Sequence, residues 1–220
     1  MATIVNVFQQ VWGSVTPIVG VELLRAISHS GGYVAGAFDS GNIVGASFGF
    51  LARHHGDEAL HSHVTGILPG VQHSGVGRSM KNHQREWAAE RGIPWITWTF
   101  DPLVRRNAWF NIEVLKADIA DYLVDFYGEM TDSINAQDES DRLVVAWSTD
   151  ESEPRPAPLA SATRHLIETP DDIVVLRRTD SNSAIAWRHD VRRQFTELFD
   201  AGGTVTAFTR EGAYIIDTPA

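Results

Sequence analysis

Val5, Phe8, Val11 and Trp12 recur at helical spacing and predict a helix across residues 4–12. Gly20–Ile27 predicts a second, broken at Gly31-Gly32. Tyr33–Phe38 and Ile43–Leu51 are β-rich runs flanking Asp39-Ser40-Gly41-Asn42 and read as a hairpin. Its many Gly and Ala residues suggest close packing against something bulky. Arg53–Glu58 reads as a polar loop, and Leu60–Leu68 as a strand ending at Pro69-Gly70. Gly75-Val76-Gly77 then opens a helix to about Arg91, with Met80, Trp87 and Ala88 in its buried stripe. Pro94 leads into a strand, Trp95–Phe100, closed by Asp101-Pro102. Ala108, Ile112, Leu115 and Ile119 form a further helical stripe. Strand, Gly loop, helix, strand, helix implies a parallel pair in an α/β sheet.

The remaining pattern is more broken. Tyr122–Gln137 is weakly patterned and acidic, and reads as a long loop. Leu143–Trp147 is a strand. Residues 148–164 hold three of the nine prolines and read as an exposed insertion. Ile173–Leu176 is a short apolar run. A helix over about Ile185–Asp200, stopped by Gly202-Gly203, precedes a strand pair around Thr204–Phe208 and Ala213–Ile216.

Composition narrows the chemistry. The 220 residues contain no cysteine, which excludes disulfides, Cys-ligated zinc, iron–sulfur clusters and a thiol nucleophile. A net charge of −10 argues against a general nucleic-acid binder. No run approaches the roughly 18 apolar residues of a membrane span, and the start lacks the features of a signal peptide. The expectation is a soluble cytoplasmic protein of one elaborated domain, with no membrane or nucleic-acid partner.

The segment Leu60–Arg78 carries the most chemical information. Gly75 and Gly77 allow backbone amides to approach a ligand closely, and free N–H groups at a helix start bind phosphate. Arg78 and Lys81 add positive charge there. The Walker pattern fails, because no Gly-Lys-Ser/Thr follows a Gly at the required spacing. The dinucleotide pattern fails because Met80 stands where a third Gly or Ala belongs. Gln72, Gly75 and Gly77 do fill Gln/Arg-x-x-Gly-x-Gly/Ala.

That pattern, between a strand and a helix in this order, resembles the acyl-CoA pyrophosphate loop of the GNAT N-acetyltransferase superfamily. Trp98-Thr99-Phe100-Asp101-Pro102-Leu103, Arg106-Asn107-Ala108 and Asn111-Ile112 resemble a subgroup with a Thr-Phe-Asp-Pro-Leu strand end. So do Tyr127-Gly128, Thr131-Asp132, Asn135, Asp141-Arg142-Leu143 and Ala186-Trp187-Arg188, so the similarity covers nearly the whole chain. It departs at the start: the family usually has a strand before the helix bearing Val11-Trp12-Gly13, and little sequence precedes that helix here.

The resemblance implies an α/β (α+β) fold over residues 1–220: a GNAT-like mixed, mostly antiparallel central sheet with a splayed parallel strand pair and helices on both faces. It implies an N-acyltransferase that joins a small amine or amino acid to the acyl group of acetyl-CoA, or of succinyl-CoA, with no metal. Gly66, Ile67, Leu68, Gln72, His73, Ser74, Gly75, Val76, Gly77, Arg78 and Asn107 would contact CoA, with the Gly66–Leu68 strand supplying oxyanion donors. His61 and His63 alternate on the strand beside the thioester and share a face, so either can take the amine proton; His63 is favoured as nearer the splay. Asp101 ends the neighbouring strand, where it either serves the chemistry or caps the next helix. The family's usual helix Tyr is absent, with Phe110 and Leu115 nearby; Tyr127, from the following loop, either replaces it as the acid for the thiolate or is a packing residue. A homodimer is left open.

Three other readings compete. One is a GNAT-like CoA binder without turnover. Another is a metal-dependent hydrolase, since six of nine histidines lie between His54 and His83, near Asp57 and Glu58. The third is a Ser hydrolase, from Gly45-Ala46-Ser47-Phe48-Gly49, although a nucleophile elbow needs a helix where Phe50-Leu51-Ala52 continues a strand. Charge is also uneven. Residues 112–153 hold twelve acids and two bases and carry the whole net charge, which leaves room for an anionic ligand elsewhere.

Overall fold

The structure, a computed structural model, describes residues 1–72, 74–128, 138–150, 152 and 161–220. Six α-helices and nine strands occur among them: α1 Ala2–Trp12, α2 Val21–His29, β1 Tyr33–Asp39, β2 Asn42–His54, β3 Asp57–Ile67, α3 Val76–Ala89, β4 Trp95–Phe100, α4 Arg105–Trp109, β5 Asp118–Leu123, β6 Arg142–Ser148, β7 Ala162–Glu168, α5 Ile173–Thr179, α6 Ser181–Asp200, β8 Thr204–Phe208 and β9 Ala213–Pro219. A six-stranded sheet runs β1-β2-β3-β4-β6-β5, and a separate three-stranded sheet runs β7-β9-β8. The first is mixed and mostly antiparallel, with β3 and β4 parallel, as expected. In the second, β8 and β9 are the expected strand pair, whereas β7, which begins inside the expected insertion, was not anticipated. None of the described helices is long and apolar enough to cross a membrane.

The chain forms two compact units, one mainly Met1–Trp98 with Trp147–Glu151, the other mainly Thr99–Thr131, Asn135–Ala146 and Ser152–Ala220. In the first unit, helices cover both faces of the β1–β3 sheet. Val5, Val7, Phe8 and Leu24 of α1 and α2 bury Ala46 and Phe48 of β2 on one face. On the other face, α3 buries Met80, Lys81, Gln84 and Ala88. Small residues make these approaches possible. A Cβ on Gly45 would meet the Met80 sulfur at 3.0 Å, and one on Gly66 would meet the Trp12 ring at 2.8 Å. In the second unit, Tyr122, Phe195, Phe208 and Tyr214 pack ring on ring, with centroids 4.7–5.2 Å apart.

Several local elements differ from the sequence pattern. Arg53–Glu58 is not a loop: β2 runs to His54, β3 starts at Asp57, and His55-Gly56 makes the turn with φ of 50° and 94°. Positive φ at both central residues matches the twist of paired strands. The stripe Ala108–Leu115 is helical, but its second half widens into a π turn, Phe110–Val114, closed by the Leu115 amide on the Phe110 carbonyl. Lys116 at φ 56° ends it, so Ile119 belongs to β5, opposite Val145. Tyr122 and Leu123 also belong to β5; residues 129–137 of the expected acidic loop, and most of the expected insertion, lie outside the described residues. Ile173–Leu176 lies in α5, because the Asp172 carboxylate accepts from the Val174 and Val175 amides and starts a helix there. Asp180 caps α6 in the same way and moves its start back to Ser181.

Two features of β3 position the site. Its ladder with β4 has three pairs, Ala59↔Trp95, Leu60↔Ile96 and His61↔Thr97, yet β3 runs on to Ile67 and β4 to Phe100. Against β2, the pairing steps from Phe48↔Val64 to Phe50↔His61, so two residues of β3 oppose one of β2. This is a β-bulge at Ser62–His63, facing Gly49. A Cβ on Gly49 would lie 2.6 Å from the His61 carbonyl oxygen. Gly49→Ala is therefore expected to destabilise the protein by about 1–3 kcal/mol, measured by urea unfolding, because backbone cannot yield as a flexible side chain would.

Candidate acyl-CoA site

After the Leu68 amide bonds the Val44 carbonyl at 2.9 Å, the chain leaves the sheet. Gln72 Nε2 reaches back to the Ile67 carbonyl (3.5 Å), and Ser74 Oγ donates to the Val71 carbonyl (2.5 Å), folding the loop on itself. Gly75 then takes φ 87°, a conformation that favours glycine, and α3 starts at Val76. The first helical bond is Ser79 N–H to the Gly75 carbonyl, so the amides of Val76, Gly77 and Arg78 precede it at the open end of the helix. Among the described residues no side chain caps that end. Arg78 is exposed beside it, whereas His73 lies outside the described residues. Lys81, expected to add charge to this end, is instead buried beneath the sheet.

The bulge sets the strand histidines. The Phe50 ring lies 5.2 Å from His61 and 5.6 Å from His63, and the two imidazoles are 6.0 Å apart, so they share a face. His61 is half-buried, with Nδ1 3.1 Å from Thr97 Oγ1 at the last β3–β4 pair. Burial, then the charges of His63 and Lys81, push its pKa down to about 4. His63 is exposed at its tip yet flanked by Phe48 and Phe50, and desolvation lowers its pKa too. Both are therefore neutral, proton-accepting imidazoles at neutral pH.

Behind the bulge lies a polar cluster that the sequence pattern did not reveal. Ser62 Oγ accepts from Lys81 Nζ and Gln84 Nε2, each at 2.9 Å. Gln84 Nε2 also reaches Ser47 Oγ at 2.7 Å, and Ser47 lies 2.7 Å from Thr65 Oγ1. Ser47 is thus buried mid-strand and hydrogen-bonded, with no elbow around it. Lys81 Nζ sits 3.7 Å above the Trp98 ring. Burial pushes its pKa down to about 7, with no carboxylate offsetting it among the described residues. The available signal was Lys81 and Gln84 standing three residues apart beside the apolar stripe of α3. Among the described residues, no three His, Asp or Glu side chains are grouped so as to hold a metal.

In the second unit, Asp101 has a different setting from a base. Its carboxylate receives both terminal nitrogens of Arg188 at 2.9 Å and Arg177 Nη2 at 2.5 Å. It also caps the next turn through the Leu103 amide at 2.9 Å, the alternative role for this residue. Asp138 bonds the same arginines at 2.8 Å. Asp101, Asp138, Arg177 and Arg188 are all buried at their side chains. Burial would raise the Asp101 pKa, but Arg188 and Arg177 outweigh it and hold the carboxyl well below the usual range. A carboxylate saturated in this way is a poor proton acceptor, and its place is structural. Arg177 and Asp138 were not singled out from the sequence, because the partners lie 39 and 76 residues apart.

Tyr127 is partly exposed, with its hydroxyl 3.0 Å from Thr99 Oγ1 and the Arg142 guanidinium 5.3 Å from its ring. Its amide donates to Ser140 Oγ. Asn107 lies half-buried in α4, its amide bonded to the Val104 carbonyl.

No protein-family model and no curated protein matches this sequence. Solved structures do match its fold. An aminoglycoside 6'-acetyltransferase type Ii superposes with a TM-score of 0.52 at 14% identity, covering 70% of this chain and 91% of its own. An aminoglycoside 6'-N-acetyltransferase complexed with coenzyme A gives 0.51 at 14% identity, covering 71% and 92%. A protein of the GNAT family from Desulfovibrio desulfuricans gives 0.51 at 17% identity, covering 68% and 92%. The chain has the fold of the GNAT acetyltransferases.

Two outcomes follow from these charges. Asp101→Asn leaves two buried guanidinium groups short of a partner and is expected to cost about 3 kcal/mol or more in urea unfolding at pH 7. For Lys81, the unfolded chain (10.5) holds the proton more tightly than the folded one (about 7). Stability should therefore rise with pH between those values, by at most about 1.4 kcal/mol per unit, and Lys81→Met should flatten the rise. His61 acts in the same direction lower down, with stability falling as pH drops from 6.5 toward about 4.

Proposed function

We propose that this chain is an acyl-CoA-dependent N-acyltransferase, with acetyl-CoA as the default donor and a small amine or amino acid as acceptor. Residues 1–220 would act as one acyltransferase. The carrying observation is one strand with three properties. β3 loses its parallel partner after His61, bulges at Ser62–His63, and leads through the loop into an uncapped α3 start at Gly75. The fold neighbours support the reading, one of them holding coenzyme A.

In this reading the amides of Val76, Gly77 and Arg78 receive the pyrophosphate, with Gln72 and Ser74 shaping the loop. Backbone donors of Gly66–Ile67 would stabilise the tetrahedral oxyanion, since the Leu68 amide is held by the Val44 carbonyl. The amine nitrogen attacks the thioester carbon and its proton passes to His63, directly or through a water. The C–S bond then breaks, and the thiolate takes a proton from solvent. The stretch Phe110–Val114 carries no Tyr, which favours a second reading, a CoA binder without turnover.

Calorimetry with acetyl-CoA and succinyl-CoA, and thiol release across an amine panel, test both. Expected are micromolar acetyl-CoA binding and turnover with at least one amine. His63→Ala should lower kcat about 100-fold, in the range of a lost general base, with the acetyl-CoA Kd kept. Gly75→Val should weaken binding at least tenfold. Binding without turnover on any amine would leave the binder reading, and no binding of any acyl-CoA would remove both.

A further inference from the structure

The chain has two lysines against sixteen arginines, and one of the two is buried under the site. Arginine fills the buried ion pairs of the second unit, where a permanent charge meets carboxylates. Lys81 instead meets a hydroxyl, Ser62 Oγ, and the face of Trp98. It approaches Ser62 from α3, behind the bulge whose other residue is His63. We propose that Lys81 is a positioning residue of the site: it anchors Ser62 and thereby holds the bulge that presents His61 and His63. The proposal rests on the acyltransferase reading for its consequence, but not for its geometry.

First, a bulge leaves one residue without a regular ladder place, so something other than strand pairing must hold it. The Ser62 hydroxyl accepts two hydrogen bonds from α3, one from Lys81 and one from Gln84, which in turn ties to Ser47 on β2. Second, simple packing does not explain the choice of residue, because a buried amine is costly and a methionine would fill the space without that cost. Third, Lys81 lies close enough to bias His61. The groups around His61 are Phe50 from β2, His63 from its own strand and Thr97 from β4, with the charge of Lys81 acting from the α3 side of the sheet. The two charge-bearing groups of that set both oppose its protonation.

The test uses the full-length protein and two measurements. Imidazole NMR titration follows His61 and His63, assigned with His61→Asn and His63→Asn, in wild type and Lys81→Met. Steady-state kinetics against pH follow kcat and KM separately. For Lys81→Met, the His61 titration should move upward by about half a unit or more, as expected when a nearby like charge is removed. In that variant kcat should fall at least tenfold, while the acetyl-CoA Kd stays within about twofold. Ser62→Ala should reproduce the fall in kcat, and Ser62→Thr, which keeps the hydroxyl, should restore it.

A His61 curve superimposable on wild type, together with an unchanged kcat, would overturn the proposal. If Lys81→Met fails to fold, Ser62→Ala against Ser62→Thr decides it: equal kcat and equal Ser62–Val64 amide shifts in the two would overturn it. If the wild type acylates no amine, the acyltransferase reading falls, and the histidine titrations with those amide shifts still decide for or against Lys81.

Discussion

A ladder of three residue pairs, Ala59–His61 on β3 against Trp95–Thr97 on β4, constrains everything around the candidate site. Parallel strands this short are held by little more than their buried side chains, and Leu60 and Ile96 are fully buried at the centre of the ladder. Beyond His61, β3 still pairs with β2 but no longer with β4. That change, with the bulge in the next two residues, gives one strand both ordinary sheet pairing and a free edge toward β4. The face of the histidines, the burial of Ser62 and the exit into the glycine loop all follow from where this pairing stops.

Polar groups are buried in two contrasting ways. In the second unit, carboxylates and guanidinium groups neutralise one another, and Asp101 is spent on Arg188, Arg177 and a helix cap. Such a network tolerates the loss of no single member, because an orphaned buried charge is far more costly than a missing pair. In the first unit, Lys81 meets only neutral partners among the described residues, and burial lowers its pKa to about 7. One arrangement fixes structure; the other keeps a titratable group beside a pair of histidines. The acidic surplus of residues 112–153 is partly consumed in the first of these, since Asp138, Glu139 and Asp141 all pair with arginines.

The legible parts of the site were local. Gly75 and Gly77 before an amphipathic helix, and His61 and His63 two apart on a strand, are visible because their geometry depends on neighbours in sequence. The tight turn at His55-Gly56 was hidden by its polar flanks, though its conformation is also local. The bulge was not visible, since it exists only as a mismatch between β2 and β3. For that reason the Ser62–Lys81–Gln84 cluster was hidden, and Lys81 was assigned to the helix end. Asp101 looked like a site residue because its strand-end position is where such residues occur, and its arginine partners come from distant helices.

By itself, then, the sequence determined the order of elements from α1 to α4, the parallel pair, the glycine loop and the type of helix that follows it. Periodicity, turn chemistry and missing side chains act over a few residues, and they are written directly in the chain. Only the tertiary structure decided which polar residues would be buried together, where β3 would leave β4, and which of the charged residues hold the fold. Those outcomes depend on register and on groups brought together from far apart, and no local pattern encodes them.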